Sequence, residues 1–162
     1  MTGASPGAAP CLIVVGDPCS EFVRTMVRLA REYRVEAVSC DDVYSAVAAM
    51  AQAAGRRTLV VGSIQELARE DCRFFRIADG NSVRCCCLLD RRAFGVAGGA
   101  LAAVRAGAAV VGEAGEVRPI LKEWLTTGGH RAVRRNLGDL ADEDLRATEA
   151  ELIALLGQGT DE

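Results

Sequence analysis

The chain reads as an open α/β domain, a parallel sheet covered by helices on both faces, and three observations carry that expectation. Five short apolar runs recur along it, at 12–15, 35–38, 58–61, 85–89 and 108–111. A helix-compatible stretch follows each run, and strands alternating with helical stretches build parallel sheets through crossover connections. Half of the 162 residues are apolar, enough to fill the core of one domain.

Residues 1–10 are small, bear Gly and Pro and lack periodicity, so they are expected to be a flexible lead-in to a domain over 11–129. After the first strand, Asp17 is the expected cap of the first helix and Pro18 suits its first turn. Phe22, Val23, Met26, Val27, Ala30 and Tyr33 fall on one side of that helix at the spacing of a face laid on a sheet. Asp41 or Asp42 caps a second helix bearing Val43, Ala46, Val47 and Met50, closed by Gly55. A third helix is expected from Gln65 to about Ile77 with Ala68, Cys72 and Phe75 inward, before Asp79-Gly80-Asn81 turns the chain.

Gly-rich sequence leads into a short helix over 100–106 with Leu101 and Val104 inward, ended by Gly107. A fifth helix opens near Arg118-Pro119, carries Ile120, Leu121, Trp124 and Leu125, and stops at Gly128-Gly129. Residues 130–162 form a C-terminal extension. Within it, 142–156 is expected to be an extra helix, because Leu145, Leu152, Ile153 and Leu156 make an apolar stripe opposite an acidic face. Five strand-helix units with right-handed crossovers fit a flavodoxin-like three-layer sandwich, its five-stranded parallel sheet in the order 2-1-3-4-5.

A net charge of −3 with both signs interspersed gives no basis for attraction to nucleic acid. The one basic cluster, His130, Arg131, Arg134 and Arg135, is followed closely by acids and reads as a solvated surface. No apolar run approaches the roughly 20 residues of a membrane span, and the first ten residues do not resemble a signal peptide. A cytoplasmic location is therefore expected, with the seven cysteines present as reduced thiols. Cys85, Cys86 and Cys87 point to alternating faces of a strand and cannot converge on one metal. No metal or cofactor is expected.

At the residue level, Cys11-Leu-Ile-Val-Val-Gly-Asp17-Pro18 is similar to the opening of a bacterial response-regulator receiver domain. Val35-Glu-Ala-Val-Ser-Cys-Asp-Asp-Val-Tyr-Ser-Ala46-Val47 resembles that family's second strand and helix. Ala100-Leu-Ala-Ala-Val-Arg-Ala-Gly107-Ala108 resembles its fourth helix leading into the fifth strand. The resemblance spans roughly 11–127. It implies a site of paired acids after the first strand, an aspartate acceptor ending the third, a Ser or Thr ending the fourth and a lysine ending the fifth. Mg²⁺ demands hard oxygen ligands, and a transferring phosphoryl group needs its charge neutralised.

Here Val15 and Gly16 stand at the acid pair, leaving Asp17. Gly62 or Ser63 stands at the acceptor, Leu89 or Asp90 at the hydroxyl, and Gly112, Glu113 or Ala114 at the lysine. Ser63 has no activating histidine and reads as a loop serine or helix cap. The resemblance thus implies a non-phosphorylatable, non-enzymatic pseudo-receiver that works by protein interaction or self-association in a bacterial signalling or regulatory assembly. The family's interaction face maps to Leu101, Arg105, Arg118, Lys122 and Trp124. The stripe of Leu145, Leu152 and Leu156 would add a second contact. The alternative is a small-ligand or nucleotide sensor using the crevice at the carboxyl end of the sheet, left roomy by Gly16, Gly62 and Gly112.

Overall fold

A computed structural model describes residues 8–80, 83–89 and 97–127. Its strands are β1 (Cys11–Val15), β2 (Glu36–Cys40), β3 (Thr58–Ser63), β4 (Arg84–Leu88) and β5 (Ala109–Val111). They form one parallel sheet in the order β2-β1-β3-β4-β5, the flavodoxin-like topology expected from the five-unit rhythm. The helices are α1 (Glu21–Glu32), α2 (Val43–Gln52), α3 (Ile64–Leu67), α4 (Arg69–Gly80), α5 (Ala97–Arg105) and α6 (Val117–Thr126). The region 130–162, with its expected helix at 142–156, lies outside the described residues.

Both faces of the sheet are buried, which is why its central strands are continuous apolar runs rather than alternating ones. Ile13, Val15, Val60, Cys85 and Cys87 face the layer of α2 to α5, where Met50, Leu67, Phe74 and Phe75 pack. Leu12, Val14, Leu59, Val61 and Cys86 face α1 and α6, against Met26, Leu121 and Trp124. The three consecutive cysteines thus divide between the two cores. Burial pushes the Cys85 and Cys86 thiols up to about 12 and raises Cys87 as well, so all three are apolar packing groups rather than nucleophiles. Cys11 and Cys40 are also buried, Cys72 is half-buried and Cys19 is exposed.

Several local details differ from the sequence expectations. Ser20, not Asp17, caps α1: its hydroxyl accepts from the Val23 amide at 3.2 Å. Asp17 accepts instead from the Cys19 amide at 2.8 Å, closing a tight turn that holds Pro18 ahead of the helix. Leu29 joins the inward face, and β2 lies later than expected, ending at Cys40. Asp42 is the cap of α2, accepting from Ser45 at 2.8 Å. That helix ends at Gln52, and Gly55 serves the following turn with φ 81°.

The expected third helix is broken at Ala68 into α3 and α4, the latter running to Gly80 with Phe74, Phe75 and Ala78 buried. The interruption lies where α5 comes closest. A Cβ on Gly99 would sit 2.8 Å from the Cβ of Ala68, so only a glycine lets α5 lie against the Ala68 methyl group. This approach turns the smallest face of α5 inward. Ala103 is buried and Ala100 packs on the core, while Leu101 and Val104, expected inside, are half-exposed and belong to neither core cluster. Gly107, at φ 79°, ends the helix, and the Ala108 amide bonds back to Ala103 at 2.9 Å.

Two adjacent glycines of α5 should therefore respond oppositely to the same change. Gly98 has open space where its Cβ would be, so Gly98→Ala is expected to stabilise the domain by about 0.5–1 kcal/mol through helix propensity. Gly99→Ala drives a methyl group into Ala68 and is expected to destabilise by about 1–3 kcal/mol. Urea melts of the two variants check the signs; equal shifts in either direction would mean that α5 does not seat on Ala68.

Candidate functional site

The parallel register aligns Val15, Cys40, Gly62 and Cys87 in one row near the carboxyl edge of the sheet. Beyond that row opens a cleft of ≈ 940 Å³ lined by residues following β1, β3, β4 and β5. Such crevices outside the carboxyl ends of parallel strands are where this architecture places its sites. Among the sequence-derived pocket residues, Val15, Gly16, Asp17, Ser63, Leu89, Gly112 and Glu113 line it together. Asp90 lies outside the described residues.

Gly62, one of the two positions that the resemblance sets at the phosphoryl acceptor, does not enlarge the crevice. A Cβ there would meet Val15 Cβ at 3.1 Å, Leu67 Cγ at 3.2 Å and the Val15 carbonyl oxygen at 3.2 Å. A side chain there is crowded by the core and needs Val15 and Leu67 to give by a few tenths of an ångström. Ser63 is engaged as well, its hydroxyl accepting from the Glu66 amide at 3.3 Å as the cap of α3. At the end of β5 the Glu116 carboxylate folds back onto the Gly112 and Glu113 amides, at 2.7 and 3.0 Å. An internal anion thus takes the backbone donors at the end of β5. Glu116 was not singled out from sequence, although an acid three residues after Glu113 at the start of a helix carries the spacing of a capping box.

Among the described residues, no group of three or more His, Cys, Asp and Glu is arranged to hold a metal ion. Also among the described residues, no helix is long and apolar enough to cross a membrane.

The expected interaction residues divide. Leu101 is half-exposed and Arg105 exposed on α5, and Lys122 is exposed on α6. Arg118 is exposed but forms a bidentate pair with Glu32 of α1, and that hydrogen bonding holds the Glu32 carboxyl below its usual range. Trp124 is not a surface anchor: it is 1% exposed, fixed in the core between the sheet and α1. The Arg57 guanidinium stacks 5.4 Å from the centre of its ring and donates to the Trp124 and Leu125 carbonyls. A cation on the last carbonyls of α6 satisfies groups that a helix end leaves unpaired. Leu145, Leu152 and Leu156 lie outside the described residues.

Comparison with protein-family models, with curated proteins and with solved structures found no match.

Proposed function

We propose that the chain is a pseudo-receiver, a receiver-like domain that cannot be phosphorylated and acts as a protein-protein interaction module in a bacterial signalling or regulatory assembly. The observation that carries this reading is Gly62, where Val15 and Leu67 crowd the space an acceptor side chain needs. The Glu116 carboxylate on the Gly112 and Glu113 amides supports it, because a second anion there would meet charge repulsion and no free donor. The outward Leu101 and Val104 on α5, beside the edge strand β5, favour a contact surface on that side, with Arg105 and Lys122 at its margin. The open cleft also supports the reading as a ligand sensor, but its carboxylates would repel the phosphates of a nucleotide.

The interaction reading is tested by placing a photo-cross-linking residue at Leu101 or at Arg105 in cells that produce the protein, with Gln52 of α2 as control. A discrete cross-linked species from the α5 positions and none from Gln52 is expected. Equal or absent cross-linking from all three positions would contradict it.

A further inference from the structure

We propose that the cleft at the carboxyl end of the sheet seats a basic, arginine-bearing segment of a partner protein. The proposal rests on the interaction-module reading and adds the chemistry of the partner and the place where it docks. The lining combines apolar side chains, Phe22, Leu88 and Leu89, with the carboxylates of Asp17, Asp41, Glu66 and Glu113. No lysine, arginine or histidine is among the described lining residues. Glu66 is paired with Arg69, whereas Asp17, Asp41 and Glu113 enter no ion pair among the described residues.

Two further observations define the occupant. An anion is disfavoured, because the Gly112 and Glu113 amides are already taken by the Glu116 carboxylate. A point cation is disfavoured as well, because the acids of the described residues do not converge into a three-ligand metal group. What remains is positive charge spread over several groups and attached to an apolar body. The cleft, ≈ 940 Å³, is at the upper end of the roughly 300–1,000 Å³ usual for ligand pockets, large enough for a short peptide stretch. Arginine suits it better than lysine, since a guanidinium forks onto carboxylates and stacks on an aromatic face such as Phe22.

The test is fluorescence anisotropy of the full chain with a fluorescein-labelled Arg-Leu-Arg-Arg-Leu-Arg peptide at low salt, with the same peptide carrying Glu for Arg as control. Saturable binding of the basic peptide alone is expected, weakening as salt is raised. The double substitution Asp41→Asn with Glu113→Gln, at two exposed positions, should weaken it at least about tenfold without moving the melting temperature. Amide shifts in the wild type should cluster at Gly16, Ser63 and Gly112. Absence of saturable binding, equal binding by the double variant, or shifts away from the cleft would overturn the proposal. Failure of the underlying interaction reading would register separately, in the cross-links from Leu101 and Arg105.

Discussion

Gly62→Asp, which puts an acidic side chain at one of the two positions that the resemblance sets at the acceptor, is expected to cost much of the domain's stability rather than create a phosphorylation site. The new Cβ would sit 3.1–3.2 Å from Val15 and Leu67, so these neighbours, Val15 on a central strand, must give by a few tenths of an ångström. Overpacking of this kind costs about 1–3 kcal/mol. The carboxylate adds a desolvation penalty of several kcal/mol unless it takes up a proton. Against a total stability on the order of 5–15 kcal/mol, the variant should melt far below the wild type or fail to fold. Gly62→Ala isolates the steric part and should fall between the two. Unchanged melting of the aspartate variant would mean that the row Val15, Gly62 and Cys87 is not packed as described.

Trp124→Ala is expected to be comparably damaging, by roughly 3–5 kcal/mol, because it empties a large fully buried site and strips Arg57 of its stacking partner. At a few degrees of melting temperature per kcal/mol, the loss should exceed about 10 °C. Leu101→Ala and Arg105→Ala, on the outward side of α5, should each change stability by only about 0.5 kcal/mol or less. Thermal denaturation of the three variants separates a core tryptophan from a surface one. A small effect at Trp124, accompanied by loss of a self-associated species, would return that residue to the interaction face.

Strand order was readable from sequence because five buried strands write themselves as continuous apolar runs, and short crossovers leave few topologies. The alternation of Cys85, Cys86 and Cys87 between the two cores was equally accessible, since the two-residue period of a strand needs no tertiary information. The break at Ala68 was not. The stretch 65–77 keeps helical periodicity throughout, and the break coincides with the approach of Gly99, some thirty residues downstream. The same approach explains why Leu101 and Val104 turn outward: size, not hydrophobicity, decides which side of α5 faces in. Asp17 and Ser20 are both good helix caps, and only the turn closed by the Cys19 amide separates their roles.

For the site, that the strand ends lack the acids and the lysine which the resemblance implies could be read from the sequence alone. That Gly62 is crowded rather than open could not, because the crowding comes from Val15 and Leu67 on neighbouring elements. Trp124 shows the reverse error. A tryptophan on a terminal helix was assigned to the surface by resemblance, whereas the α1 and α6 layer closes over it.

The proposal that this domain is a pseudo-receiver that takes up no phosphoryl group is tested most directly by mass spectrometry of the wild-type chain after acetyl phosphate with Mg²⁺. Amide spectra in beryllofluoride with Mg²⁺ accompany that measurement. The expected result is an unchanged mass and unchanged amide positions. A gain of one phosphoryl group on an aspartate, or Mg²⁺-dependent shifts centred on Asp17 and Ser63, would contradict it.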